Sequence, residues 1–174
     1  MTSRFLKSIF VILIVSSFFG MVLSPRIQTE PLSTNHEIIV DDEGDGDFRS
    51  IQDAINYSSI GDKIRIYSGT YNEKITILHQ VFLIGINEEY MSGDDVGPPI
   101  ITSSFDDGLL ILVEADGCEI SGFHINPGIP QGDDFGNNGL GLHSKNNIIS
   151  NNVFYDGNRG IIAYVGKNTT DCSN

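Results

Sequence analysis

Apolar residues follow two different periods along this chain. In the segment GDFRSIQDAINYSSIGD, apolar side chains recur at the three- and four-residue spacing of an amphipathic helix: Phe48, Ile51, Ala54 and Ile55. Asp47 or Ser50 is suited to cap the start of this helix, and Gly61 is suited to end it. Beyond Gly61, nine short apolar segments alternate with Gly, Asn or Asp. The pattern predicts one short helix followed by nine short strands.

The strand pattern repeats. Residues 110–125 shifted forward by 29 fall without a gap on residues 139–154 and match four apolar pairs: Ile111 with Leu140, Val113 with Leu142, Ile120 with Ile149, and Ile125 with Phe154. Two further shifts, of 21 and 37 residues, extend the match: Leu140 to Ile161, Leu142 to Ala163, and 83–86 to 120–123. Constant strands with loops of variable length indicate a solenoid of stacked rungs. A two-sheet sandwich is the alternative, but it does not require a gapless register.

Charge narrows the classes of partner. The formal net charge is −13, and the chain has no cluster of Lys and Arg such as a phosphate backbone needs. We therefore expect no nucleic-acid partner. Near the N-terminus, Arg4 and Lys7 precede an uncharged stretch from Ile9 to Leu23, which is typical of an export signal.

These features predict three parts of the chain. Residues 1–24 are a signal peptide or an N-terminal anchor, residues 25–37 are a linker, and residues 38–174 are the folded domain. We expect the domain to be extracytoplasmic, either secreted or attached to the cell surface. Contact with a membrane is expected only through the N-terminal segment, if that segment is not cleaved.

Residues 41–47, DDEGDGD, form a turn with five carboxylates, here called the acidic turn. Its acids match EF-hand loop positions 1, 3 and 5, and a Gly stands at position 6. Position 12, where an EF-hand needs a bidentate Glu, is Gln52, and the segment before the turn contains Pro31 and ends in a β-branched run. The EF-hand interpretation therefore fails. We interpret the turn as a solvated segment ahead of the helix, with calcium affinity only as an incidental property and no required cofactor.

The order of several motifs resembles a known family. A Gly-Asp-Phe, the IQDAI helix, a Gly-Thr-Tyr-x-Glu and an Ile-x-Gly follow one another as in the N-terminal part of pectin-lyase-like right-handed parallel β-helices. The later segments ISGFHI and NNIISNNVFYDGNRGIIAYVG resemble the rungs of NosD-type surface proteins. The resemblance covers residues 38–174. It implies an all-β, right-handed, single-stranded parallel β-helix whose first rung is covered by a short α-helix.

Catalytic residues of the family are not matched. In pectin methylesterases, a Gln-Ala-x-Ala-Leu strand supplies an oxyanion-stabilising Gln, and a Gln-Asp-Thr-Leu strand supplies an acid/base Asp. The corresponding positions here are Asn138 in the first case, and Asn158 and Arg159 in the second. The resemblance therefore implies no catalytic residue in this chain.

Metal ligands were considered for two kinds of site. For a lyase-like calcium site, Asp133 and Asp134 lie in a long insertion between rungs, and Asp156 lies in a later loop close to Arg159. Solvated turns account equally for such acids. A copper site would need neighbouring His, Met or Cys, but the histidines are scattered: His36, His79, His124 and His143.

One surface is predicted to be a binding column. The register aligns Glu114, His143 and Tyr164 on consecutive rungs, which are about 4.8 Å apart. Their side chains should point away from the core, where they could contact a glycan chain; an ordinary solvated sheet face is the alternative. Cys118 and Cys172 are expected to lie two rungs apart, so we predict two reduced, inward-facing thiols.

We therefore expect an exported, non-catalytic β-helix module with a surface, structural or carbohydrate-contacting role. The alternative is part of a polysaccharide-active enzyme, lyase or esterase, that lacks its catalytic rungs. The expected partner is a polysaccharide or an envelope glycan. The last rung is unfinished at GKNTTDCSN, which favours a truncated product, a fragment, or a module that needs a partner.

Overall fold

Short strands dominate the molecule because apolar, largely β-branched side chains alternate with polar ones. The computed structural model describes residues 36–104, 108–129 and 136–164. Within them lie one helix, α1 (Ile51–Tyr57), and thirteen strands: β1 (Glu37–Val40), β2 (Asp62–Ile66), β3 (Thr70–Asn72), β4 (Ile75–Ile77), β5 (Val81–Gly85), β6 (Ile100–Thr102), β7 (Leu109–Val113), β8 (Glu119–Ser121), β9 (His124–Asn126), β10 (Asn138–Leu142), β11 (Ile148–Ser150), β12 (Val153–Phe154) and β13 (Arg159–Ala163).

The strands form three sheets, and every pairing is parallel. Sheet A has the order β1-β2-β5-β8-β11, sheet B has β3-β6-β9-β12, and sheet C has β4-β7-β10-β13. From β2 onward, each rung contributes one strand to each sheet in turn. This arrangement is a parallel β-helix, so the predicted fold class is confirmed.

The observed register agrees with the sequence repeats. In sheet C, Ile111 pairs with Leu140 and Leu140 pairs with Ile161, at offsets of 29 and 21 residues. In sheet A, Leu83 pairs with Ile120 at an offset of 37. The sandwich alternative is therefore wrong.

Inward-facing apolar side chains stack in columns to form the core. In β2, for example, Ile64 and Ile66 are buried, whereas Lys63 points outward. The corner between sheets A and B is tight: a Cβ on Gly85 or on Gly122 would clash with the carbonyl oxygen of the other. Gly122 also has a φ of +87°, which an L-residue rarely adopts.

Helix α1 begins as predicted but ends earlier. Ser50 is its N-cap and accepts a hydrogen bond from the Asp53 amide. The predicted end at Gly61 is wrong, because Ser58 terminates the helix in an extended conformation with its amide bonded to the Ala54 and Ile55 carbonyls. Phe48 lies outside the helix and bridges to Val40 in a parallel pairing.

The helix is attached to the first complete rung through two side chains. The Glu73 carboxylate accepts hydrogen bonds from the Ser50 hydroxyl and from the Ile51 and Gln52 amides, at 2.7–3.0 Å. The Gln52 side chain accepts from the Thr76 amide at 2.7 Å and donates to the Thr76 carbonyl at 3.2 Å. Gln52 therefore satisfies the edge of strand β4 as a neighbouring strand would.

The strand prediction differs from the structure at two kinds of place. Strands β1 and β3 were not among the nine predicted, and two predicted strands are each divided by a corner, at Gly122–Phe123 and at residues 151–152. Asn152 explains the second corner: its side chain accepts from the Phe123 amide and donates to the Ile120 carbonyl. Side-chain bonds of this kind satisfy the backbone where the ladder is interrupted.

Several predictions lie outside the described residues. These are the signal or anchor at 1–24, most of the linker at 25–37, and the unfinished last rung after Tyr164. Within the part of the chain that the structure describes, no helix combines the length and apolar character needed to cross a bilayer.

Candidate functional site

The predicted binding column lies directly after the strands of sheet C. Backbone hydrogen bonds continue the parallel ladder there: the His143 amide donates to the Val113 carbonyl, and the Tyr164 amide donates to the Leu142 carbonyl. The Glu114 amide donates to the Ile77 carbonyl, which places Leu78 in the same row. We call Leu78, Glu114, His143 and Tyr164 the sheet C column.

All four side chains of the sheet C column are exposed. The His143 and Tyr164 rings meet edge to face, with centroids 4.1 Å apart and an interplanar angle of 77°. Leu78 was missed by the sequence argument, although it is 67% exposed and lies 36 residues before Glu114. The column offers an apolar side chain, a carboxylate, an imidazole and a phenol within one line across the rungs. Such a line can make both ring contacts and hydrogen bonds to hydroxyl groups.

The positions that correspond to esterase residues lie next to each other in sheet C. Asn138 pairs in register with Arg159, and the Asn138 side chain donates to the Gly136 carbonyl at 2.9 Å. The strands β4, β7, β10 and β13 contain no Asp or Glu. Sheet C therefore lacks the paired carboxylates that hydrolysis of a glycosidic bond usually requires.

The predicted calcium candidates are not brought together in the described residues. Asp133 and Asp134 lie outside them. Asp156 is exposed, has a φ of +59°, and lines a small depression together with Arg159. Neither of the two metal-compatible groups in the described part of the chain contains Asp156 or a histidine.

The acidic turn is more structured than the sequence predicts. Asp41 is fully buried, which corrects the interpretation of the turn as uniformly solvated. One of its carboxylate oxygens, Oδ2, accepts hydrogen bonds from the Gly44 and Asp45 amides at 3.0 and 2.9 Å. Asp42 is similarly held, since it accepts from the Thr70 amide at 3.0 Å. The turn is thus shaped around its own first two carboxylates.

Two further carboxylates reach the acidic turn from the β5–β6 loop, residues 86–99, here called the corner loop. Single carboxylate oxygens of Asp41, Glu43 and Glu89 lie within 4.8 Å of one another, and the same holds for Asp42, Glu43 and Asp95. We call these five residues the corner cluster. No local sequence signal indicated it, because Glu89 and Asp95 are more than 40 residues from the turn.

Crowding of negative charge perturbs ionisation in the corner cluster. A hydrogen bond to the Asp42 carboxylate, with a smaller contribution from desolvation, raises the pKa of Glu43 from 4.5 to about 7. Desolvation raises the pKa of Glu89 above its ordinary value. Burial, followed by the charges of Asp42 and Asp41, also raises the pKa of the neighbouring Tyr71 phenol.

Cys118 is buried in the core, as expected for an inward-facing filler. It is a thiol in the structure, and burial raises its pKa. Its amide donates to the Asn147 side chain of the next rung at 2.9 Å. Cys172 lies outside the described residues, so the prediction for that thiol stays a prediction.

Comparison with known proteins gives one relative of interest. The chain is 35% identical over 80 residues to a protein described as probable pectinesterase 67 from Arabidopsis thaliana. The match covers 44% of this chain and 22% of the relative, so the matched part spans about a fifth of that relative's length. No family model matches the chain.

Proposed function

We propose that this protein is an exported, non-catalytic β-helix module that contacts carbohydrate through the sheet C column. The observation that carries the proposal is the exposed edge-to-face pair of His143 and Tyr164 on consecutive rungs. Sugar rings have apolar CH faces and polar rims, and an aromatic pair beside a carboxylate is complementary to both. The similarity to a probable pectinesterase supports pectin as the first polymer to test.

Support for a non-catalytic role comes from the residues that sheet C does contain. Its strands carry no carboxylate, and the esterase positions are occupied by Asn138, Asn158 and Arg159. An acyl-transfer or hydrolytic step needs an acid or base within hydrogen-bond reach of the reacting atoms. The sheet C column supplies His143 and Glu114 without an arranged oxyanion site.

The proposal is tested by isothermal titration of the full chain with methyl-esterified pectin and with a uronate polymer, each with and without calcium. We expect saturable binding that Tyr164→Ala weakens about tenfold, the usual loss when an aromatic anchor is truncated. Tyr57→Ala, which removes a comparably exposed tyrosine on helix α1, serves as the control. Absence of heat with every polymer, or equal losses in both variants, contradicts a carbohydrate-contacting role.

A second candidate is part of a polysaccharide-active enzyme, favoured by the 80-residue match to a probable pectinesterase. It predicts methanol release from esterified pectin if the chain is esterase-like. If it is lyase-like, it predicts unsaturated products together with binding heat only in calcium. Binding without either product supports the non-catalytic module.

A further inference from the structure

The corner cluster joins two segments that are distant in sequence. The acidic turn leaves sheet A after β1, and the corner loop leaves the same sheet after β5. Ser68 attaches the loop, because its amide donates to the Glu88 carbonyl at 3.0 Å and its hydroxyl donates to the Gly97 carbonyl at 2.6 Å. Tyr90 packs against Tyr67, with ring centroids 4.7 Å apart. The loop is therefore held over the turn with its carboxylates directed at the same corner.

Three carboxylate oxygens at this corner are buried and have no hydrogen-bond partner: Asp41 Oδ1, Asp42 Oδ1 and Glu89 Oε2. In each residue the other oxygen is engaged by a backbone amide, for Glu89 that of Tyr90 at 3.0 Å. A buried carboxylate oxygen without a donor is costly. Asp41 is decisive, since the residue is fully buried and its bare oxygen lies among other carboxylates.

No basic side chain resolves this accumulation of charge. Arg49 lies against the Gly44 backbone, but within the described residues no Lys, Arg or His nitrogen comes within 4.0 Å of a carboxylate of the corner cluster. The described chain contains one ion pair, between Arg65 and Glu37. The corner is thus a concentration of negative charge with three bare oxygens and no cationic partner among those residues.

The ligand atoms select a class of cation. Two oxygens on opposite sides of a calcium ion are separated by about 4.6–5.2 Å, twice the Ca–O distance, so oxygens within 4.8 Å can share one ion. Both groups contain only carboxylates, which argues against zinc and copper. Magnesium demands near-ideal octahedral geometry, whereas calcium accepts irregular sets of oxygens such as those of a turn and a loop.

We propose that Asp41, Glu43 and Glu89 bind a calcium ion that fastens the corner loop onto the acidic turn. Asp42 and Asp95 lie beside this ion and increase the negative potential that attracts it. The site is separate from the sheet C column and does not depend on carbohydrate. It also differs from an EF-hand, since Gln52 is engaged with strand β4 and takes no part.

Terbium luminescence tests the site directly. Tb³⁺ replaces Ca²⁺ at oxygen sites and is sensitised by nearby tyrosine; Tyr90 follows Glu89, and the Tyr71 hydroxyl is 3.4 Å from the Val40 carbonyl beside Asp41. We expect tyrosine-sensitised emission from the full chain, saturable displacement by Ca²⁺ with a Kd of about 1 mM or lower, and much weaker displacement by Mg²⁺. No calcium binding up to about 10 mM, or equal displacement by Mg²⁺, would overturn the proposal.

Matched variants locate the ion. Glu89→Gln removes one charge and one ligand, and we expect it to weaken calcium binding about tenfold or more. Asp94→Asn removes the same charge from an exposed position of the same loop, outside both groups, and should change affinity less than about twofold. Equal losses in the two variants would show general attraction and overturn the site.

A measurement on the unaltered chain keeps the test independent of how the variants fold. Calcium should slow proteolytic cleavage within residues 86–99 and raise the melting temperature, because the ion binds only the folded corner. Unchanged cleavage of the corner loop at saturating calcium would overturn the fastening role.

Discussion

The two ends of the described solenoid bury the same apolar column to different degrees. Ile75 in β4 and Ile161 in β13 belong to one column of sheet C, joined through Ile111 and Leu140. Ile75 is 1% exposed, whereas Ile161 is 48% exposed. The residue type and the inward direction are the same, so the difference comes from what covers each end.

The first end is covered by side chains specific to it. Helix α1 buries Ile51, Ala54 and Ile55 against the core, and Gln52 and Glu73 bond the helix to the rung beneath. At the other end, Ile148 and Val153 of the last described rung are more than half exposed. A rung is therefore buried only when it has a neighbour on both sides, as expected for a one-dimensional array.

The largest effect is expected from truncating the shared column at each end. Ile75→Ala should lower the free energy of unfolding by about 3 kcal/mol, because it opens a cavity in a closed part of the core. Ile161→Ala should cost about 1 kcal/mol, since much of its side chain already contacts solvent. Urea unfolding measures both, and equal losses would mean that the two ends are equally closed.

Removal of the helix anchor should have the next largest effect. Glu73→Gln replaces a charged acceptor of three hydrogen bonds and should cost about 2 kcal/mol. Glu114→Gln, the same change at an exposed position, should stay within about 0.5 kcal/mol. If circular dichroism shows the two variants to unfold alike, Glu73 does not hold the cap.

A smaller effect is expected at the strand edge. Gln52→Leu should cost about 1 kcal/mol, because it leaves the Thr76 backbone groups without their side-chain partner. Amide exchange at Thr76 should accelerate, whereas Gln52→Glu, which keeps an acceptor, should preserve more of its protection. Unchanged exchange in Gln52→Leu would argue that other groups protect the edge of β4.

The smallest effect on stability is expected from the sheet C column. Tyr164→Ala removes a half-exposed ring and its contact with His143, so the unfolding free energy should change by no more than about 1 kcal/mol. A thermal melt measures this. A larger loss would make Tyr164 a structural residue of the last described rung and weaken its use as a binding residue.

Much of the fold was predictable because the inward positions of a solenoid repeat in register. The pairings of Ile111 with Leu140 and of Leu83 with Ile120 follow from apolar identity at a constant offset, which any rung must preserve to fill the core. The start of helix α1 at Ser50 was predictable for a similar reason, since capping is a local interaction. The end of the helix was not, because Ser58 satisfies it before Gly61 is reached.

The sequence by itself determined the rung register and, through it, the row that contains Glu114, His143 and Tyr164. Only the tertiary structure decided which acids come together. Asp41 and Glu89 are 48 residues apart, and no periodicity relates them; they meet because the loop after β5 is anchored by Ser68 above the turn that follows β1. Core positions repeat because each rung packs against identical neighbours, whereas contacts between corner loops depend on lengths and anchors that differ from rung to rung.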